Sequence, residues 1–323
     1  MTDGIFHSAM RGYLSKFVEE KRALGYRYIA GEERLHAFDR YLQNLNPPAQ
    51  SLPESVVGPW VAKRVNESAT THSIRARVVR EFARFLRRHG IEAHIPDTRS
   101  QTAGNTPFVP KIFTRLEVAG IIRATAALPV DRRSPLRHIV FPEIFAVLYG
   151  CGLRCGETLR LAVRDVDLED GVLKVLQGKF RKDRLVPMSP SLSARLRQYA
   201  QHVGQRDASV AFFQAPHGGA YRRSAVYVVF RRALRSLGIP RGGRGRGPRV
   251  HDLRHTFAVH RLEAWYRAGS DLGAKLPVLA AYMGHRDIYG TQRYLRLTAE
   301  LYPEIAERMQ AAVGSHIPRL GPG

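Results

Sequence analysis

Apolar residues in the first hundred positions return every three or four residues. Met10, Tyr13, Leu14, Phe17 and Val18 form one set, Leu35, Phe38, Tyr41, Leu42 and Leu45 a second, and Ile74, Val78, Phe82 and Phe85 a third. No alternating strand pattern interrupts them, so the pattern predicts an all-α domain over residues 1–95. From about residue 94 the period is lost. Pro96, Pro107 and Pro110 gather with Ser, Thr, Gly and Asn in a stretch of linker composition, placed at 96–110.

A second domain opens at "TRLEVAGIIRA", where Thr114 and Glu117 have capping-box spacing ahead of an apolar helical face. Further on, "FPEIFAVLYGCGLRCGETLRLAVRDV" reads as helix, glycine-marked turn, helix. "GVLKVLQGKFRKDRLVPMS" gives two short β-rich runs around a charged turn, a hairpin by pattern. Helical period then returns in "SPSLSARLRQYAQHV" and "SAVYVVFRRALRSLG". The expected fold is therefore mainly α with a small antiparallel β-sheet in an α+β second domain over 111–300, preceded by a separate all-α domain. Residues 301–323 form a terminal helix and tail, with Leu301, Ile305, Met309 and Val313 in one apolar stripe.

Charge narrows the function. Fifty-one Lys and Arg against 28 Asp and Glu leave a formal net charge of +23, the sign that attracts a polyanion. Residues 1–100 carry 16 basic and 11 acidic side chains (+5), and 101–323 carry 35 and 17 (+18). Nucleic acid is the leading partner, with chemistry on a phosphate backbone expected in the second domain; an anionic membrane surface is the rival. The most apolar run, "HIVFPEIFAVLYGCGL", is too short to span a bilayer and contains Pro142 and Glu143. The N-terminus shows no secretory pattern. Two cysteines, Cys151 and Cys155, exclude a disulfide scaffold, fit a reducing cytoplasm and read as two buried thiols.

Candidate chemistry lies in four stretches. Arg154 follows a glycine turn at a helix start, with Glu157 three residues on to pair with it or cap the helix. Lys179 sits at the hairpin tip. His251 and Arg254 stand one helical turn apart and are able to converge on one small target. His285 is followed nine residues later by Tyr294. Each alone is as well read as solvated surface or ordinary core.

In order, however, "GLRCGE", "GKFRKDR", "HDLRHTFA" and "MGHRDIYGTQRY" resemble the tyrosine site-specific recombinases, or phage-type integrases, over residues 110–300. The first domain resembles that family's core-type DNA-binding domain in architecture only. The resemblance implies that Arg154 and Arg254 are a phosphate-binding pair, Lys179 the hairpin lysine, and His251 the histidine one turn before the second arginine. It makes His285 the later histidine or tryptophan position and Tyr294 the nucleophile. Cys155 departs from the aliphatic residue common there.

These roles are chemically coherent. Attack of a phenolic oxygen on a phosphodiester builds negative charge on nonbridging oxygens, which guanidinium forks stabilise without a metal. Tyrosine's unperturbed pKa of about 10 requires help to form phenolate, for which Arg254 and His251 are placed. A lysine with its pKa depressed by neighbouring cations would protonate the departing 5′ oxygen. His285 would bind a nonbridging oxygen or steady the nucleophile. The product is a 3′-phosphotyrosine and a free 5′ hydroxyl, which reseals DNA without ATP.

A competing reading treats His251 and His255 of "HDLRH" as metal ligands. A catalytic zinc needs a third protein ligand, His260 is badly spaced along the helix, and Arg254 with its cationic surroundings opposes a dication. The phosphate clamp is preferred, with no metal or other cofactor, and His255 becomes a structural residue hydrogen-bonded in the interior. Arg241, Arg244, Arg246 and Arg249 lie among glycines just ahead of this helix. They suit contacts along a DNA backbone, or form a mobile loop that only raises bulk affinity. The resemblance implies double-stranded DNA as partner, a homo-tetramer assembled on two DNA sites from monomers or dimers, a tail that docks on its own or a neighbouring protomer, accessory DNA-binding proteins, and a cytoplasmic, nucleoid-associated enzyme integrating, excising or transposing a mobile element. A type IB topoisomerase, a non-catalytic DNA-binding regulator and a zinc hydrolase remain as alternatives.

Overall fold

The computed structural model describes residues 6–26, 28–46, 49–97, 109–176, 183–240, 242, 247–285, 289–292 and 294–295. The chain divides into two compact units, Met1–Pro107 and Phe108–Gly323.

The first unit is built on α1 (Arg11–Ala23), α2 (Ile29–Gln43), α3 (Glu54–Val61) and α4 (Ala69–Arg88). Leu14, Phe17 and Val18 of α1 and Leu35, Phe38 and Leu42 of α2 join Val79, Phe82, Phe85 and Leu86 of α4 in one core. Ser68 caps α4 by accepting from the Thr71 N–H. Tyr13, Tyr41 and Leu45 are half-buried against this core, and one expected position lies outside it. Ile74 is half-buried, and Arg75 turns inward instead. Its guanidinium pairs with Glu67 at 2.6 Å and donates to the Trp60 and Ala62 carbonyls. A buried charge persists where such partners meet it.

The second unit opens with α5 (Arg115–Ala126), where Thr114 and Glu117 form both bonds of a capping box. Next come α6 (Arg137–Gly150) and α7 (Cys155–Arg160). Every residue of α6 from Val140 to Leu148 is buried, because α5, α8 and α10 surround it. The hairpin expected from the sequence is β2 (Val172–Val175) and β3 (Arg184–Pro187), antiparallel with Leu173 opposite Val186. β1 (Val166–Asp167) adds a third strand on the other side of β2. Helices α8 (Pro190–Val203), α9 (Arg223–Ser236), α10 (Asp252–Arg267), α11 (Leu272–Met283) and α12 (Tyr289–Gln292) follow. Among the described residues no helix is long and apolar enough to cross a membrane.

Candidate active site

The site is assembled where α7, α10, β3 and the end of α11 meet. Gly152 makes the turn out of α6 with φ +58°, a left-handed conformation that glycine adopts at little cost. This turn sets Arg154 as the N-cap residue of α7. Glu157, one turn in, accepts from the Arg154 main-chain N–H at 3.0 Å and from its guanidinium at 2.7 Å. The acid therefore both caps the helix and pairs with the arginine, the two roles its spacing suggested.

At the other end, α11 finishes at Gly284, again left-handed with φ +66°. The last carbonyls of a helix lack intrahelical donors and carry the negative end of its dipole. Here three arginines from three elements satisfy them in succession. Arg184 of β3 donates to Tyr282 O at 2.9 Å, Arg254 of α10 to Met283 O at 2.7 Å, and Arg154 to Gly284 O at 3.0 Å. Arg254 also donates to Gly152 O at 2.6 Å, so both glycine turns hold arginines through their carbonyls.

Arg254 is only 2 % exposed. Burial, then the neighbouring charge of Arg154, lowers its pKa to about 10, which leaves it cationic at neutral pH. Glu157 is buried too, and burial alone would raise its pKa. The Arg184 hydrogen bonds, the Arg154 N–H and the two guanidinium charges outweigh that and hold it at about 2. Arg184 reaches Glu157 in a forked pair at 2.9 and 3.3 Å. Sequence reasoning missed Arg184. The strand alternation contained a signal, since Arg184 lies two residues before inward-facing Val186.

Tyr294 is 2 % exposed and belongs to the same core as Phe257 and Leu262 of α10 and Leu279 and Met283 of α11. Its hydroxyl lies 3.1 Å from His255 Nδ1. His255 is buried and bonded in the interior, as expected, but its partner is the tyrosine itself. His251, the exposed N-cap residue of α10, packs edge-to-face on His255 with ring centroids 4.8 Å apart. On another side, the His285 ring is roughly parallel to that of Tyr294 at 6.1 Å, and His285 Nδ1 lies 2.6 Å from Thr291 Oγ1 of α12.

Other sequence readings resolve unevenly. Arg249 is bonded to Asp252, the first residue of α10, through its main-chain N–H at 2.9 Å and its guanidinium at 3.1 Å. That holds Arg249 at a helix start instead of in a freely mobile loop. Arg241, Arg244 and Arg246, Lys179, and the stripe Leu301, Ile305, Met309 and Val313 lie outside the described residues. His260 lies 2.9 Å from the Tyr149 hydroxyl, and among the described residues no group of three or more His, Cys, Asp or Glu is arranged to hold a metal ion. Cys151 is buried and its thiol is pushed up to about 12 by burial. Cys155 is only half-buried, a correction to the two-buried-thiol expectation, because it begins α7 beside exposed Arg223.

Comparison with known proteins gives the family. The model of the phage integrase family matches residues 115–300. The protein named "Putative integrase/recombinase y4rB" of Sinorhizobium fredii is 31% identical over 314 residues, covering 94% of this chain and 98% of that one. The tyrosine recombinase XerD of Ralstonia nicotianae is 30% identical over 266 residues, 80% of this chain and 77% of its own. Among solved structures, the Tn1549 transposon integrase in complex with a circular intermediate DNA superposes with TM-score 0.63 at 17% identity, over 89% of this chain and 94% of that one, a likeness of fold. With more than half of its length matched by the family and a relative aligned nearly end to end, the chain belongs to the phage integrase family, the tyrosine-type DNA recombinases.

Proposed function

We propose that the protein is a site-specific recombinase of a mobile element, which cuts and rejoins DNA through a 3′-phosphotyrosyl intermediate formed on Tyr294. The observation that carries the reading is the convergence of Arg154 and Arg254 on the end of α11, with Tyr294 packed against the same helix.

Arg154 and Arg254 grip the nonbridging oxygens of the scissile phosphate. Their guanidiniums are fixed beforehand by carbonyls, so little reorganisation is needed as the phosphorane gathers charge. The histidines His251 and His285 complete the oxyanion contacts, and Lys179 protonates the departing 5′ oxygen. Glu157 keeps Arg154 in place. ATP is not required, because the phosphotyrosine conserves the energy of the broken phosphodiester for religation, and the two guanidiniums supply the charge stabilisation that a metal would otherwise give.

The relatives' names, an integrase/recombinase and a tyrosine recombinase, support the recombinase role, and the name integrase together with the fold shared with a transposon integrase supports the mobile-element one. Four protomers assemble on two DNA sites in the cytoplasm, on the nucleoid, with accessory DNA-binding proteins at those sites. The +23 charge and Arg241, Arg244, Arg246 and Arg249 serve the DNA backbone.

The test is a nicked suicide duplex carrying the ends of the element that encodes the protein, incubated with wild type and Tyr294→Phe. Wild type is expected to give a covalent protein–DNA adduct and products joined from two duplexes, and the variant neither. An adduct that persists in Tyr294→Phe refutes the nucleophile, and resealing of single duplexes without joined products favours a topoisomerase.

A further inference from the structure

We infer that His255 is the base that accepts the phenolic proton of Tyr294 as it attacks. The inference rests on the recombinase reading above and adds a catalytic residue to it. Three observations support the role.

First, distance. His255 Nδ1 stands 3.1 Å from the tyrosine oxygen, inside the range for direct proton transfer. Second, environment. The pair is buried, so water does not compete for the proton, and His251 packs against the His255 ring. Third, charge. Arg254 lies near enough to Tyr294 for their charges to interact, and it is itself held among Arg154, Arg184 and Glu157, while ring contacts set His251 beside His255 and His285 beside Tyr294. The Arg254 guanidinium offsets the negative charge that grows on the phenolic oxygen as its proton leaves, and transfer to His255 creates an ion pair with no change in the net charge of the site.

In the step, a lone pair of Tyr294 Oη forms the bond to phosphorus while the bond to the 5′ oxygen breaks, and that oxygen keeps its electron pair. The phenolic proton passes to His255 Nδ1, and the 5′ oxygen takes its proton from the acid. Religation reverses both transfers.

The experiment measures single-turnover adduct formation on the same nicked duplex for wild type, His255→Ala and His255→Gln from pH 6 to pH 10, with DNA affinity and thermal melting alongside. Gln keeps the shape and a hydrogen bond to the phenol but takes no proton, and it decides the matter if Ala fails to fold. At pH 7 both variants are expected to be slower by about 10²- to 10⁴-fold. The deficit should shrink about tenfold per pH unit as phenolate forms without a base, approaching wild type near tyrosine's pKa of about 10. A deficit equal at every pH makes His255 only structural and overturns the inference, as does an undiminished rate in the Gln variant. A duplex with sulfur in place of the leaving oxygen needs no acid. If it restores the variants, His255 serves the leaving group and the assignment fails. If wild type forms no adduct, or Tyr294→Phe still does, it is the function itself that falls.

Discussion

Glu157 is the acid on which the arginine cluster depends, and replacing it with glutamine tests the cluster as a whole. Its carboxylate holds Arg154 at 2.7 Å and Arg184 at 2.9 Å in a buried setting, and its pKa falls from 4.5 to about 2. That drop corresponds to about 3 kcal/mol of folding stability at neutral pH, the lower end of the 3–5 kcal/mol expected when one partner of a buried pair is removed. Because the folded-state pKa lies below the unfolded one, the contribution is complete above about pH 4.5 and lost as pH falls through about 2. At pH 3.5 about 2 kcal/mol should remain. Chain-wide fluorescence would mix the two units, since Trp60 lies in one and Trp265 in the other. Urea unfolding of Glu157→Gln against its parent, both in a Trp60→Phe background, therefore reads Trp265 alone. The stability gap should be about 3 kcal/mol at pH 7 and narrower by about 1 kcal/mol at pH 3.5. Adduct formation should slow at least tenfold at neutral pH, because Arg154 loses its charged anchor. A gap below about 1 kcal/mol, or one that does not change with pH, refutes the claim that Glu157 is held ionised between the two arginines.

Two further outcomes follow from the same geometry, and a third from the basic stretch ahead of α10. Gly152→Ala places a methyl group against the Phe257 ring in a left-handed turn, and should cost about 2 kcal/mol or more while displacing the carbonyl that holds Arg254; a variant with wild-type melting and cleavage contradicts this. Arg254→Lys cannot bond Gly152 O and Met283 O as the fork does, so adduct formation should fall by about 10² or more with DNA affinity within about tenfold, measured by single-turnover cleavage and gel shift. Replacing Arg241, Arg244 and Arg246 together with glutamine should make the slope of log affinity against log salt shallower by about 0.9 per lost phosphate contact; an unchanged slope assigns those arginines no backbone role.

Glycine and acid work together in this site. Each left-handed glycine exposes a carbonyl that an arginine occupies, Gly152 for Arg254 and Gly284 for Arg154. The two turns thus exchange anchors across the site, and α7 and α10, far apart in sequence, are fixed relative to the end of α11. Such rigidity suits a reaction whose barrier is lowered by prearranged charge.

Local elements and the chemical inventory are legible in the order of the residues. Capping residues Thr114 and Glu117, the strand alternation of β2 and β3, and the glycine turn before Arg154 act over a few residues, so their spacing already specifies their structure. The order of arginines, histidines and tyrosine likewise marks the family. Which groups meet is set by packing. That three arginines share successive carbonyls of one helix end depends on the packing of α7, α10 and β3 around α11, and main-chain oxygens have no letter in a sequence. Arg75 in a core and His255 against Tyr294 are of the same kind, since each side chain's role is set by partners brought to it from other elements.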